Sequence, residues 1–252
     1  MSSPISEKSD KVVLITGGAQ RIGASITHHL HAQGMRIALH YRNSAPAANA
    51  LASALNAQRP DSVYCLQADL LDTAQLPSLV ERVLAHWGQL DVLINNASAF
   101  YPTPLTTVSE PQWDELLGSN LKAPFFLSQA AAASLDRQQG CIINLLDIHG
   151  ERPLKDYPIY SIAKAGLIML TKALARELGP RVRVNGIAPG PILWPESGLD
   201  EANQQRIIAA TALKRLGEPD DIARTAGFLI QAAAYITGQV ITVDGGRSLG
   251  NP

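Results

Sequence analysis

A tyrosine and a lysine four positions apart are the residues of this chain whose spacing most clearly suits a chemical reaction. Tyr160 and Lys164 lie in a segment with a helical pattern, from Tyr157 to Leu178, and residues four apart share one face of a helix. A neighbouring ammonium group favours the phenolate and lowers the pKa of a tyrosine towards the working pH, as an acid–base catalyst requires. We therefore predict a proton-transferring site in which Lys164 lowers the pKa of Tyr160.

Asp147, thirteen positions before Tyr160, limits the substrates that such a site would suit. An ionised aspartate only accepts hydrogen bonds, whereas a serine at the same place would donate one to a substrate carbonyl. The site is therefore expected to suit a substrate with N–H groups or a ring nitrogen that needs a proton. Asp147 is predicted to orient Tyr160 and to return its proton.

The elements that must position these residues alternate between strands and helices along the chain. Seven short apolar, β-branched runs are predicted as strands, and the segments between them have helical patterns. This alternation predicts an α/β fold of the Rossmann type, a doubly wound, seven-stranded parallel sheet with helices on both faces and ligands at the carboxyl ends of its strands. The predicted strands are residues 11–15, 36–41, 62–66, 90–94, 141–145, 183–187 and 239–243, and the main predicted helices are residues 45–58, 73–86, 113–135, 157–178 and 220–233.

Composition and length favour one domain with a small-molecule ligand. The chain has 252 residues, 46% hydrophobic content and a formal net charge of −1. The chain lacks a basic stripe of the kind that binds nucleic acid or an anionic membrane. It also lacks an apolar run that approaches the roughly 18 residues of a membrane span. Residues 1–10 are expected to form a flexible polar tail without an export or import signal, which favours a cytoplasmic protein. Residues 188–210, which begin with a Pro/Gly-rich stretch, are predicted to form a substrate loop or lid.

The turn after the first strand has the composition of a dinucleotide-binding site. Thr16 to Gly23 follows a strand and opens a helix, so backbone amides and the helix N-terminus can bind a pyrophosphate. The second strand does not end on the acidic residue that would pair with the ribose of NAD. The segment at the end of this strand is polar and comprises His40, Tyr41, Arg42, Asn43 and Ser44. Together with Arg21 it offers a polar, positive nest for a 2′-phosphate, which favours NADPH over NADH. We predict a single NAD(P)-binding Rossmann domain over residues 1–252.

Several other residues have two interpretations. Asp69, just past the third predicted strand, could accept a hydrogen bond from the adenine amino group or cap a helix. Three histidines of the first predicted helix lack the spacing of a zinc ligand set, so we predict a solvated face and no metal site. The two cysteines are expected to be structural, unpaired thiols. These residues are His28, His29, His31, Cys65 and Cys141.

The chain resembles the short-chain dehydrogenase/reductase family over nearly its whole length. Within that family, carbonyl-reducing members keep a serine at the place of Asp147, whereas Arg21, Ser98 and Asp147 together are similar to the pattern of pteridine reductases, including dihydromonapterin reductases. The segments that support the resemblance are Thr16–Gly23, Asn95–Ala97, Asn120, Tyr160 with Lys164, Pro189–Gly190 and Val243–Gly246.

The resemblance implies a cytoplasmic, NADPH-dependent enzyme, usually a homotetramer, that reduces dihydropterins to tetrahydropterins. It also implies that Asn120 holds the active-site helix through a water that bridges to Lys164, and that Lys164 bonds the nicotinamide ribose. Besides the segment from His40 to Ser44, the implied cofactor contacts are Gly17, Gln20, Arg21, Ile22, Asp69, Leu70, Asn96, Ala97, Ser98, Asn120, Tyr160, Lys164, Pro189 and Gly190.

The expected substrate contacts follow from the flat shape of a pterin. Phe100 is expected to stack on one face of the ring, with the nicotinamide on the other. Hydride would go to C6, and N5 would take a proton either from Tyr160 directly or from a water. Trp194 would cover the pterin or anchor the lid, Ser98 would contact a ligand or pack the loop, and His149 is a further candidate contact. The predicted substrate-binding residues are Ser98, Phe100, Asp147, Tyr160 and Trp194.

Two other functions stay open at this point. A 3-oxoacyl or sugar carbonyl reductase of the same family would share the turn and the Tyr–Lys pair, and Asp147 argues against it. A non-catalytic, NADP(H)-sensing regulator would keep the fold, but it would have no need of Tyr160, Lys164 and Asn120 together. One fold hosts many chemistries, so the site must decide between them.

Overall fold

The computed structural model describes residues 10–194 and 198–250. The tail predicted for residues 1–10 therefore lies outside the described residues except for residue 10, and so do residues 195–197 of the predicted lid. In the described residues, seven parallel strands form one sheet, as predicted. The strands are β1 (Val12–Ile15), β2 (Arg36–Tyr41), β3 (Val63–Gln67), β4 (Val92–Asn95), β5 (Cys141–Leu145), β6 (Arg183–Pro189) and β7 (Val240–Val243). Their order in the sheet is β3-β2-β1-β4-β5-β6-β7.

The helices lie between the strands and cover both faces of the sheet. They are α1 (Arg21–Ala32), α2 (Ala45–Gln58), α3 (Leu76–Trp87), α4 (Glu110–Leu117), α5 (Ala123–Gln138), α6 (Pro158–Leu178), α7 (Glu201–Ala210) and α8 (Pro219–Gln231). Alternate residues of β1 face opposite sides, so Val13 and Ile15 pack with α1, α2 and α8, whereas Val12 and Leu14 pack with α3 and α5. Burial on both faces is why the strands are almost continuously apolar.

The strand order reverses between β1 and β4, which is where a fold of this type binds its ligand. Both strands neighbour each other in the sheet, and β1 is followed by the Gly-rich turn. The backbone N–H of Thr16 donates to the carbonyl of Ile94 at 3.0 Å. The first residue of the turn is therefore hydrogen-bonded to the end of β4, where the loop after that strand begins. The reversal therefore places the predicted cofactor turn next to the predicted substrate loop.

Two predicted segments differ from the structure. The predicted loop conformation is wrong for residues 201–210, which form α7, and Asp200 caps this helix by accepting the N–H of Asn203. The role of this segment as a lid stays a prediction. The predicted helix over residues 113–135 is also interrupted, since Gly118–Lys122 forms a π-helical turn between α4 and α5. Such turns are rare and often mark functional sites.

The predicted solvated face of α1 is wrong for His31. This side chain is buried, and its Nε2 lies 2.8 Å from the hydroxyl oxygen of Ser62. Burial, with the nearby charge of Arg59, lowers the pKa of His31. His28 is exposed and His29 is half-buried, and no group of side chains in residues 10–194 and 198–250 could hold a metal ion.

The two thiols are unpaired, as predicted. Cys141 is buried in β5 and Cys65 is half-buried in β3, and burial raises the pKa of both thiols, to about 11 for Cys141. Among the described helices, none combines the length and the apolar character needed to cross a membrane.

Candidate active site

A cleft of about 590 Å³ opens at the carboxyl ends of the strands. The protein places the three predicted catalytic side chains and the predicted aromatic contact in the lining of this cleft. Apolar side chains from β5, the loop after β6 and α7 complete the lining. The predicted residues that line it directly include Ser98, Phe100, Asp147, Tyr160, Lys164 and Trp194.

Tyr160 and Asp147 form the central hydrogen bond of the cleft. The phenolic hydroxyl donates to the Asp147 carboxylate at 2.8 Å, and the other oxygen of that carboxylate accepts the backbone N–H of His149 at 2.8 Å. Asp147 follows β5 and begins the short helical turn Ile148–Gly150, so its backbone is fixed on both sides. The carboxylate is therefore aimed at the phenol by the strand end and by its own turn.

The predicted direction of the Tyr160 pKa is wrong for this arrangement. Burial, followed by the charge of Asp147 and its hydrogen bond, raises the pKa of Tyr160 well above its usual value. The ammonium group of Lys164 does not offset this, because it lies over the tyrosine ring, 5.5 Å from the ring centroid, and not at the phenolic oxygen. Tyr160 is thus held as a protonated phenol at neutral pH.

Lys164 is a buried charge one helical turn from Tyr160. Its side chain is only 2% exposed, and its ammonium group donates to the carbonyl of Leu145 at 2.9 Å. Burial lowers the pKa of Lys164 to about 8, although the charge of Asp147 acts in the opposite direction. A lysine whose pKa lies this close to neutral pH is typical of functional sites.

The π-helical turn positions Asn120, which is buried and contacts the cleft lining through Ser98. Its amide donates to the carbonyls of Leu116 at 3.0 Å and Ala99 at 2.9 Å, and its oxygen accepts the hydroxyl of Ser98 at 2.6 Å. These contacts fix the loop after β4, so Ser98 is both a loop-packing residue and part of the cleft wall. The water-mediated link from Asn120 to Lys164 stays a prediction.

An aromatic cluster adjoins Tyr160 in the lining of the cleft. Phe100 stacks on Tyr157 with a centroid distance of 4.7 Å and an interplanar angle of 15°, and it meets the Tyr160 ring edge to face at 4.8 Å. Phe100 remains 43% exposed, as a ligand-facing ring would be. Tyr157 was not predicted as a site residue, although its spacing of three residues before Tyr160 is the signal that places both rings on one side of α6.

The shape of the first turn depends on two glycines and one asparagine. Gly17 has φ +61°, and a Cβ atom at Gly23 would lie 2.1 Å from the Gly17 carbonyl oxygen. The amide of Asn96 donates to the carbonyls of Thr16 at 2.8 Å and Gly17 at 2.9 Å. The Thr16 hydroxyl oxygen in turn accepts the N–H groups of Asn96 and Ala97. The turn is thus fixed against the loop after β4 and directs the N-terminus of α1 towards the ligand side.

His40 belongs to this turn and not to a positive phosphate nest, which corrects its predicted role. It is buried, its Nδ1 accepts the N–H of Gly17 at 3.2 Å, and its Nε2 lies 3.1 Å from the carbonyl oxygen of Ala68. Burial lowers the pKa of His40 to about 4, so the ring is neutral. His40 therefore supports the turn from beneath and adds no positive charge.

Arg42 lies at the end of β2 between two carboxylates. Its guanidinium is 3.1 Å from Asp69 and 4.0 Å from Glu115 on α4. Asp69 also accepts the N–H of Leu71 at 3.0 Å, which makes a local turn and not the predicted alternative of a helix cap. Glu115 accepts the hydroxyl of Tyr101 at 2.8 Å, and burial with this hydrogen bond raises the pKa of Tyr101 to about 12.

The other residues of the predicted phosphate nest differ in their surroundings. Tyr41 packs partly against the core, Asn43 is exposed and Ser44 is half-buried at the start of α2. Gln20 is exposed before α1, whereas Leu70 is buried after β3. These residues and Arg42 therefore lie beside the cleft and not in its lining.

Arg21 joins the first turn to the predicted lid. It has φ +51°, and its guanidinium donates to the carbonyl of Trp194 at 3.1 Å. Both residues line the cleft, and so do Ile22, Pro189 and Gly190. Trp194 therefore contacts the body of the protein through its backbone, which supports the predicted anchoring role. Contact between its ring and the ligand stays a prediction.

His149 lines the same cleft as a neighbour of Asp147. Its Nδ1 lies 3.0 Å from the carbonyl oxygen of Arg152, which fixes the orientation of the ring. Asp147 and His149 are both half-buried.

Comparison with known proteins gives matches over almost the whole chain. A family model described as enoyl-(acyl carrier protein) reductase matches residues 17–248. Pteridine reductase 1 of Leishmania tarentolae is 36% identical over 278 residues, which cover 94% of this chain and 96% of that protein. The 3-oxoacyl-acyl-carrier-protein reductase FabG of Staphylococcus aureus is 36% identical over 243 residues, with coverages of 95% and 98%. The probable galactose dehydrogenase GalD of Rhizobium meliloti is 36% identical over 255 residues, with coverages of 97% and 98%.

Proposed function

The chain belongs to the short-chain dehydrogenase/reductase family, and we propose that it is an NADPH-dependent pteridine reductase that converts a dihydropterin to the tetrahydropterin. The observation that supports this choice best is the 2.8 Å hydrogen bond from Tyr160 to the Asp147 carboxylate. A carboxylate beside the proton donor suits a substrate with N–H groups and does not offer the hydroxyl donor that a carbonyl substrate would use.

NADPH is the proposed cofactor because the first turn fits a pyrophosphate and the end of β2 lacks an acidic side chain. A Cβ atom at Gly23 would collide with the turn, and the fixed turn directs the N-terminus of α1 at the expected phosphate position. Residues 40–44 contain no acidic residue, and Arg42 is the positive group there. When bound, NADPH supplies the hydride for the reduction.

The residues of the cleft would bind the flat ring and deliver one proton. Phe100 would cover one face of the pterin by offset stacking. Reduction of the C6–N5 double bond adds a hydride at C6 and a proton at N5, and Tyr160, which is a protonated phenol at neutral pH, would supply that proton. Asp147 orients the phenol, and Lys164 would bond the nicotinamide ribose and supply positive charge at the same wall.

A carbonyl reductase is the second candidate, because the FabG and GalD relatives are 36% identical to this chain, as pteridine reductase 1 is. Such an enzyme would also need a Tyr–Lys pair. It would, however, need a hydroxyl group that donates a hydrogen bond to the substrate carbonyl at the place of Asp147, and an ionised carboxylate only accepts hydrogen bonds. This missing donor favours the pterin over the carbonyl substrate.

We also propose that copies of the chain associate, as a homotetramer. Phe125 and Phe126 on α5, and Ile162 and Met169 on α6, expose between 36% and 63% of their surfaces. The two helices pack against each other, so these side chains present apolar surface on neighbouring elements. Exposed apolar surface of this kind supports association between copies.

The test is NADPH oxidation with dihydrobiopterin, dihydromonapterin, dihydrofolate and a 3-oxoacyl thioester side by side, for the protein and for its Asp147→Ser and Asp147→Asn variants. We expect turnover of a dihydropterin, and a loss of about a hundredfold in its kcat/KM in Asp147→Ser, because the phenol loses its carboxylate partner. The NADPH dissociation constant should change by less than about twofold in either variant, since Asp147 is proposed to act on the substrate.

Three results would redirect the proposal. Turnover of the thioester alone would favour the carbonyl reductase. Equal losses in turnover and in NADPH binding would make Asp147 a structural residue. NADPH binding without turnover of any of the four substrates would favour the sensing regulator.

A further inference from the structure

Two arginines from different elements line the solvent side of the cleft. Arg206 lies on α7, and Arg247 lies in the short helical turn Arg247–Leu249 after β7. The segment after α7 packs against the segment after β7, since the N–H of Leu213 donates to the carbonyl of Gly245 at 3.0 Å. Arg206 is exposed and Arg247 half-buried, whereas Tyr160 and Lys164 are buried at the inner wall. The two arginines therefore line the more exposed part of the cleft, and Tyr160 and Lys164 line its buried part.

Neither guanidinium is in an ion pair with a carboxylate in the part of the chain that the structure describes. The positions three and four residues from Arg206 in α7 are occupied by Ala202, Asn203, Ala209 and Ala210, so no acidic side chain lies one turn away. Other arginines of the molecule are paired, such as Arg42 with Asp69, Arg181 with Asp136 and Arg224 with Asp220.

The acidic residue closest to Arg247 in sequence is already engaged. Asp244 accepts the N–H groups of Gly246 at 2.8 Å and Ser248 at 2.6 Å. Burial alone would raise the pKa of Asp244, but these hydrogen bonds outweigh it and lower the pKa. The carboxylate is therefore stabilised by its own turn, and Arg247 is left to face the cleft.

We propose that Arg206 and Arg247 bind an anionic group on the tail of the substrate, outside the ring that is reduced. This inference rests on the proposed function, since it takes the inner cleft as the ring site. A guanidinium binds a carboxylate or phosphate through two parallel N–H donors, which gives direction as well as attraction. The cleft is also lined by the apolar side chains of Leu199 and Ile207, which suit an apolar linker between ring and anion.

Two kinds of substrate have this chemistry. One is a pterin with an acidic tail, such as the glutamate of dihydrofolate, and the other is an acyl chain on a phosphorylated carrier arm. A pterin with a short neutral polyol tail, such as dihydrobiopterin, would gain nothing from the arginines. The proposal therefore predicts that the enzyme distinguishes substrates by the charge of their tails.

The test uses Arg206→Gln, Arg247→Gln and the double variant, with Arg224→Gln as a control on α8 outside the cleft. For dihydrofolate we expect each single variant to raise KM about tenfold with kcat unchanged, because a charge-assisted hydrogen bond is lost. For dihydrobiopterin, KM should change by less than roughly twofold. Binding of p-aminobenzoylglutamate to the NADPH complex, followed by calorimetry, should weaken in parallel with the dihydrofolate KM.

The outcomes separate this inference from the proposed function. Equal increases in KM for both pterins, weaker NADPH binding, or no change in the variants would overturn the anion site. If no pterin is reduced, but a phosphopantetheine thioester has a lower KM than its unphosphorylated analogue and loses that advantage in the variants, the anion site stands and the pterin proposal fails. Unaltered binding of the tail probe in the double variant would likewise overturn the anion site.

Discussion

Two buried basic side chains, one beneath the cofactor turn and one in the catalytic wall, show how the same burial can serve structure or chemistry. Burial lowers the pKa of His40 to about 4 and that of Lys164 to about 8. Both ring nitrogens of His40 meet the backbone groups of Gly17 and Ala68, so the neutral ring is the form that the protein stabilises. Lys164 is hydrogen-bonded to the Leu145 carbonyl, and at neutral pH it is kept as a charge inside the protein.

The difference indicates which residue costs stability. A neutral group with its hydrogen bonds satisfied is an ordinary part of a core, whereas a buried ammonium destabilises the folded state unless a strong partner offsets the loss of water. A protein would keep Lys164 only where the charge has a use. The contrast therefore supports a functional Lys164 and a structural His40, and each assignment can be tested by substitution.

The largest effect is expected from Lys164→Met, which should make the fold more stable while it removes activity. The folded pKa of Lys164, about 8, lies below its ordinary value of 10.5. The folded state therefore bears the full cost of the buried charge below pH 8, and stability rises with pH between these two values because the unfolded chain binds more protons there. The gain in unfolding free energy at pH 7 should be about 3 kcal/mol, and it should disappear above the upper value.

Urea unfolding at pH 7 and above pH 10 measures this gain. Lys172→Met, on the exposed side of the same helix, is the matched control and should change little. A less stable Lys164→Met at pH 7 would mean that the bond to Leu145 outweighs the cost of the charge, and the contrast with His40 would be lost.

The next effect is expected from His40→Leu, which should destabilise the fold by about 2 kcal/mol because two buried backbone groups lose their partners. Its folded pKa, about 4, lies below the ordinary 6.5, so the unfolded chain binds more protons between these values and the wild-type protein loses stability as the pH falls through this window. His40→Leu should remove that part of the acid sensitivity.

A matched variant separates the two hydrogen bonds of His40. His40→Asn keeps a side-chain oxygen to accept the N–H of Gly17, so it should retain NADPH affinity better than His40→Leu. Equal NADPH dissociation constants for the two variants would show that His40 does not shape the turn. Unfolding curves at pH 7 and pH 4.5, with fluorescence titration of NADPH, provide both readouts.

The sequence predicted the elements whose signals are local. The bounds of α2, Ala45–Gln58, and of β5, Cys141–Leu145, agree with the structure, because a proline near one end and a short β-branched run are local signals. The α7 helix and the π-helical turn at Asn120 were not predicted, since α7 follows a loop rich in Pro and Gly and a π-helical turn has no distinct composition.

In the candidate site, the sequence indicated which residues meet but not their electrostatics. Spacing placed Tyr160 beside Lys164, and the structure brings Asp147 and Phe100 to the same cleft. The direction of the Tyr160 pKa could not be read from spacing, because it depends on where the ammonium lies relative to the phenolic oxygen. The burial of His40 likewise depends on tertiary packing against β1, β3 and the Gly-rich turn, and such packing between segments that are distant in sequence cannot be read from spacing.

The smallest effect is expected at Arg42, the exposed arginine at the end of β2, because a solvated charge destabilises the folded state far less than a buried one. Arg42 and its partners Asp69 and Glu115 are each between 40% and 49% exposed at the side chain, and ion pairs of this kind contribute roughly 0 to 1 kcal/mol. Arg42 could therefore exchange these carboxylates for a 2′-phosphate at low cost. Glu115→Gln removes one competing charge and should tighten NADPH binding by about twofold to threefold, with NADH binding unchanged.

Arg42→Ala is the reference for this last prediction, since it should remove the preference for NADPH that Glu115→Gln strengthens. The amide oxygen of the substituted side chain would still accept the hydroxyl of Tyr101, so the loop after β4 should keep its position and kcat for a dihydropterin should not change. If Glu115→Gln lowers kcat instead, then Glu115 acts on the substrate loop through Tyr101 and not on the cofactor through Arg42. If NADPH and NADH tighten equally, the carboxylate opposes the dinucleotide as a whole, and Arg42 does not distinguish the two cofactors.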